Sequence, residues 1–293
     1  MKQPSLVLLT MILSVMAAAT TVKIMTPDHV SSSSSVSSST KTIERIIRTG
    51  TIRCAYAVWP PSLLKDPNTG KLSGINYDVM ELIGRELDLK IDWVEEVGFS
   101  NFIEGLKTHR YDALCVSSWP DAPRIRHLLY TDPYFYSPIY AYVRAGDKRF
   151  DGNLDKIDDP AVKIATIDGD ISQTQARIDY PKANIFAMPQ TADPAEVLLA
   201  VVSRKADIVF TDKGNYELFN KNNPGVLEPI AHVGPATIFS EPLVVLPGET
   251  QLHSMLNLAL RNLINNGKID KVLDKYPYGD YIYPARGYKV KNN

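Results

Sequence analysis

Short apolar runs alternate with amphipathic stretches along most of the chain. Residues 51–57 form a run rich in β-branched and aromatic side chains and read as a strand. Asp66-Pro67-Asn68-Thr69-Gly70 is a turn cluster. Asn76 is placed to cap a helix whose Tyr77, Met80, Ile83 and Leu87 fall on one face. Residues 90–95 read as a second strand, Ser100 as the cap of a helix carrying Ile103 and Leu106, and residues 113–116 as a third strand. This alternation predicts a mostly parallel sheet covered by helices.

The pattern then restarts. Residues 162–167, 185–188 and 208–211 are strand candidates, and the last leads into a helix over 213–219. Asp193-Pro194-Ala195-Glu196 combines an N-cap, a proline at the first helical position and a capping-box glutamate, which opens a helix to about residue 203. The final strong element, 249–266, carries Leu252, Met255, Leu256, Ala259 and Leu263 on one stripe, with Gly267 as its stop. Two α/β lobes result.

Composition narrows the class. The chain has 293 residues, 44% of them hydrophobic, enough for one or two ordinary cores. A net charge of −1 leaves no electrostatic footprint for nucleic acid or an anionic membrane. Lys2, the apolar stretch 6–16 and Ala17-Ala18-Ala19 have the layout of a secretory signal over residues 1–19, cleaved after Ala19. The rival reading is an uncleaved anchor, since 6–22 nearly suffices to span a thinned bilayer. Residues 20–40 follow as a tether, serine-rich over 31–39. Cys54 and Cys115 are the two cysteines, both on expected strands of one lobe. Export permits a disulfide, but neighbouring parallel strands seldom offer the geometry, so two buried thiols are expected. Five scattered histidines show no ligand spacing, so neither a metal nor a cofactor is expected.

Candidate chemistry sits at two strand ends. The strand 113–116 breaks into Ser117-Ser118-Trp119-Pro120, and Pro123 opens a helix holding Arg124. Open α/β sheets hold ligands at the carboxyl ends of strands, where a guanidinium can pair a carboxylate bidentately. The strand 208–211 ends in Asp212 before its own helix. A cation at one strand end and an anion at another match the carboxylate and ammonium of an α-amino acid.

With these motifs in this order, from about residue 43 to 278, the chain resembles the family 3 extracellular solute-binding proteins, the amino-acid receptors of ABC importers. The resemblance implies a two-lobed periplasmic-binding-protein-like α/β fold of type II, with two mostly parallel sheets joined by two hinge crossings. It places lobe 1 at 41–137 plus 244–293 and lobe 2 at 140–240, with 137–144 and 238–246 as the crossings. It also aligns Trp59 and Phe99 with the aromatic pair over the ligand, and Ser117 and Trp119 with the segment that holds the amino-acid head group. Gly169 and Asp170 fall on the loop whose helix start binds the anionic end. Asp170 is equally suited to cap that helix. Tyr56 stands where binders of basic amino acids often carry an acid. Tyr130-Thr131-Asp132-Pro133-Tyr134 matches the family's turn into the first crossing.

The expected function is therefore a monomeric, non-enzymatic periplasmic receptor that closes on a polar amino acid and presents it to an ABC permease. Two alternatives stand beside it. One is a membrane-anchored sensor or accessory protein, which the tether would suit. The other is a dehydratase on the same fold, which needs a general acid in the cleft and an altered ammonium position, whereas Asp212 keeps the binding type.

Overall fold

The computed structural model describes residues 38–99, 101–276 and 280–283. The expected leader (1–19), most of the expected tether and the expected cap Ser100 lie outside the described residues. The helix Ser38–Thr49 begins within the stretch read as tether, and its Ile43 and Ile46 are buried.

The strands before residue 135 are β1 (Thr51–Tyr56), β2 (Leu64–Lys65), β3 (Leu72–Ser73), β4 (Lys90–Glu96), β5 (Ala113–Leu114) and β6 (Leu129–Tyr130). Beyond it come β7 (Tyr136–Arg144), β8 (Lys163–Ile167), β9 (Asn184–Met188), β10 (Ile208–Asp212), β11 (Leu227–Pro229), β12 (Thr237–Ser240) and β13 (Val244–Val245). They build a first sheet of order β4-β1-β5-β13-β6 and a second of order β11-β7-β10-β8-β9, with β12 beside β7 and β2–β3 as a separate hairpin. Strands linked through helices run parallel, β1 with β4 and β5, and β8 with β9 and β10. Strands next to the passages between sheets run antiparallel, β13 with β5 and β6, and β7 with β10, β11 and β12.

Local chemistry explains the covering helices. Ile75–Leu87 buries Ile75, Asn76, Val79, Met80, Ile83 and Gly84. Its N-cap is Gly74 and not the expected Asn76. Gly74 has φ 116°, and a Cβ there would meet the Pro61 carbonyl oxygen at 2.8 Å, so only glycine fits the turn. Asn76 is thereby free to point inward. The expected capping box is present: Asp193 and Glu196 bond each other's backbone at the start of Pro194–Val202. Thr250–Asn265 buries the stripe Leu252, Leu256, Ala259, Leu260 and Leu263 against the first sheet, and Gly267 follows in the left-handed region.

The cysteines form a disulfide, with Cα atoms 5.3 Å apart, where two free thiols were expected. The register supplies the reason. Cys54 stands opposite Ala113, and Cys115 lies two residues further along the same face. A diagonal pair escapes the poor geometry of directly opposed parallel neighbours.

The chain passes between the sheets twice, from β6 to β7 and from β12 back to β13. The two passages lie side by side: Glu241 N–H donates to Phe135 O, Tyr134 N–H to Glu241 O, and Thr131 N–H to Leu243 O. The carboxyl ends of β1, β5, β8 and β10 converge beside them.

Candidate functional site

These strand ends enclose a cavity of about 30 Å³, lined from the first-sheet side by Trp59, Asn76, Phe99, Ser117, Ser118, Trp119 and Arg124. Asp170, Ile171 and Asp212 line it from the second-sheet side, and Glu241 from the return passage. Room for a water-sized occupant means that anything as large as an amino acid is admitted only when the two sides part.

Arg124 belongs to a four-residue helix, Ala122–Ile125, that Asp121 caps by accepting from Arg124 N–H. The capping residue thereby sets the guanidinium's direction. Arg124 Nε lies 3.6 Å from the Asp121 carboxylate, and Nη2 donates to the Gly169 carbonyl of the opposite side at 2.8 Å. A guanidinium that stays charged thus sits almost fully buried at the cavity.

Three indole and phenyl rings form the walls. Trp59 meets Phe99 and Trp119 edge to face, with ring centroids 6.0 and 6.1 Å apart. Trp119 stacks on Phe239 of β12 at 4.5 Å. Each tryptophan also donates across the cleft: Trp59 Nε1 to Asp212 at 3.0 Å, Trp119 Nε1 to Glu241 at 2.7 Å. Beneath them, Asn76 Nδ2 approaches Ser117 Oγ at 3.5 Å, and the Tyr134 hydroxyl donates to Asn76 Oδ1. Among the described residues, Ser118 Oγ is buried without a hydrogen-bond partner.

Two of the carboxylates cap helices. Asp170 accepts from Ser172 N–H at 2.8 Å at the start of Ile171–Asp179, so the capping role open in the sequence is present together with a place in the lining. Gly169, at φ 72°, turns the chain before it. Asp212 accepts from Asn215 N–H at 2.8 Å and caps Lys213–Asn222. Burial raises the Asp212 pKa above the ordinary carboxylate range, against the pull of Trp59 and of backbone donors. Burial pushes Glu241 up to about 7, opposed by the Ser137 hydroxyl, Trp119 and Ser117 and reinforced by the charge of Asp212.

The structure thus brings Arg124, Asp212, Trp59, Phe99, Ser117, Trp119 and Asp170 to one cavity, with Gly169 touching it through its carbonyl. It does not bring Tyr56 there. Tyr56 is the inward-facing last residue of β1, packed edge to face on Trp93 under the Lys65 ammonium. Asn76, Ser118 and Glu241 line the cavity without having been singled out in the sequence. Glu241 did carry a signal, a lone acid between apolar residues in a segment expected to cross between lobes.

The profile of the bacterial extracellular solute-binding proteins, family 3, matches residues 41–280. The L-arginine-binding protein of Pseudomonas aeruginosa is 28% identical over 227 residues, which cover 75% of this chain and 85% of that protein. Among solved structures, an ancestral amino-acid-binding protein described as a precursor of cyclohexadienyl dehydratase superposes with TM-score 0.70 at 23% identity, covering 80% of this chain and 98% of that one. A histidine kinase sensor domain similar to periplasmic binding proteins superposes with TM-score 0.69 at 20% identity, again over 80% of this chain and 98% of the other. The fold is that of the periplasmic binding proteins.

Proposed function

Given that the chain belongs to family 3 of the bacterial extracellular solute-binding proteins, we propose that it captures a polar, positively charged amino acid between its two halves and presents it to an ABC permease. One observation carries this reading: Arg124 and Asp212 face the same cavity from opposite sheets. Arg124 would take the ligand carboxylate, and Asp212 the ammonium, in place of Trp59 Nε1. Ser118 Oγ offers a further free hydroxyl, and Trp59, Phe99 and Trp119 supply apolar walls with cation–π attraction. Charge balance favours a cationic ligand, since Arg124 faces three acidic side chains, Asp170, Asp212 and Glu241. The adjoining cleft mouth, about 670 Å³, is lined by Glu95, Glu96, Glu104, Asp168 and Asp193, with Arg110 the one cation among the described residues, which would steer a cation inward. The L-arginine-binding relative agrees with this class.

In this reading the lobes are 41–137 plus 244–293 and 140–240, hinged where the two passages run together, and ligand closes them. The receptor is a periplasmic monomer without catalytic activity. Among the described residues, no helix is long and apolar enough to cross a membrane. Asp212→Asn tests the assignment. Affinity for α-amino acids falls 10- to 1,000-fold, as expected for breaking a desolvated charge pair, while ligands lacking the amino group lose far less. Dehydration of prephenate or arogenate by the wild-type chain, lost in Asp212→Asn, would instead favour an enzyme.

A further inference from the structure

The cavity gathers Asp170, Asp212 and Glu241 around a single guanidinium, and among the described residues no lysine or histidine lines it. The guanidinium is already engaged by Asp121 and by the Gly169 carbonyl. Two of the three acids cap helices and accept backbone N–H bonds there. Glu241 caps nothing. It lies on the return passage, 3% exposed, and among the described residues its donors are neutral: the Trp119 indole at 2.7 Å and the hydroxyls of Ser117 and Ser137. The ionisable groups around it are Asp212 at the end of β10, Tyr134 on the neighbouring passage and Tyr281 from the C-terminal segment. None of them supplies positive charge.

We propose that Glu241 holds a carboxyl proton in the ligand-free protein and gives it up when a cationic amino acid is captured, so that binding is coupled to proton release. The inference rests on the cationic-ligand reading above. Its chemistry is one O–H bond broken at the Glu241 carboxyl, with the proton passing to water or buffer and the ligand's positive charge stabilising the carboxylate left behind. Glu241 thereby becomes a specificity-determining residue: a ligand without net positive charge cannot offset its ionisation and is bound against a neutral carboxyl. The raised affinity of Glu241 for its proton, to about 7, puts the exchange in the neutral range.

Calorimetric titration of the full-length chain with L-arginine, in buffers of different ionisation enthalpy, reads the coupling directly. At pH 7 roughly half a proton is released per arginine bound, more at pH 6 and almost none at pH 8.5. Arginine affinity correspondingly rises with pH, by up to tenfold per unit below 7. Glu241→Gln removes both the buffer dependence and the pH slope between 5.5 and 8. Binding with the same heat in every buffer, or proton release that persists in Glu241→Gln, overturns the proposal while leaving the receptor reading intact. No binding of L-arginine or any other basic amino acid overturns both.

Discussion

Glu241→Gln has a consequence for stability that needs no ligand. Burial raises the glutamate from 4.5 to about 7, so the folded state holds this proton more tightly than the unfolded chain. The sign follows from linkage. Below pH 4.5 both states are protonated and burial of the carboxyl carries no ionisation penalty. As pH climbs from 4.5 towards 7, the unfolded chain ionises first and the native state loses stability relative to it. Above about 7 the loss is complete. A difference of roughly 2.5 pK units at 1.36 kcal/mol each amounts to about 3 kcal/mol. Glutamine keeps a carbonyl oxygen for Trp119 Nε1 and cannot ionise. Any change in its other hydrogen bonds is a constant offset that does not vary with pH. Thermal melts of both chains, ligand-free, at intervals from pH 4.5 to 8.5 give the comparison. The melting temperature of Glu241→Gln rises relative to wild type across that range by roughly 6–12 °C. Parallel curves would show that the Glu241 carboxylate is ionised at no cost, and both the burial argument and the proton-coupling proposal would fail.

Three further outcomes follow from the geometry. Arg124→Ala abolishes amino-acid binding in a chain that still folds, because loss of a buried charge-assisted pair is worth about 2–5 kcal/mol of binding; unchanged affinity by calorimetry would make Arg124 structural. Gly214→Ala places a Cβ 2.8 Å from Pro61 Cδ of the facing half, so it lowers affinity several-fold and reduces the ligand-induced compaction seen by small-angle scattering. Alanine in a helix is favourable by up to about 1 kcal/mol, so a matching drop in melting temperature would contradict a role in closure. Reducing the Cys54–Cys115 bridge, which spans 61 residues, destabilises the fold by about 4 kcal/mol on loop entropy alone, and equal denaturant midpoints with and without reductant would refute that.

The elements that were legible in the sequence are those whose cause is local. Asp193 to Glu196 contain both halves of a capping box, and the stripe from Leu252 to Leu263 repeats at helical spacing, so each declared itself without tertiary information. Arg124 and Asp212 were visible because strand ends before a helix are recognisable from apolar runs and proline placement. What stayed hidden depends on register and on contacts across the chain. Cys54 and Cys115 bridge because β1 and β5 pair with Cys54 opposite Ala113, a register that no local pattern encodes. Asn76 carries a capping residue's chemistry, yet Gly74 takes the turn and releases it into the cavity lining. Glu241 meets Trp119, 122 positions away, only because the second passage returns beside the first. Tyr56 was hidden for the same reason: it is the last of three successive buried residues of β1, beyond a register shift, and packs in the core against Trp93.

An amino acid held between Arg124 of one half and Asp212 of the other must bind this chain with one-to-one stoichiometry. Calorimetric titration of the unfolded, ligand-stripped and refolded chain with each of the 20 standard amino acids tests it most directly. One-to-one binding is expected, tightest for L-arginine or L-lysine and weakest for the acidic amino acids, which would bring negative charge to a cavity that sets one guanidinium against three acidic side chains. Saturable binding of aspartate or glutamate in preference to the basic amino acids, or no binding by any of the twenty, would contradict it.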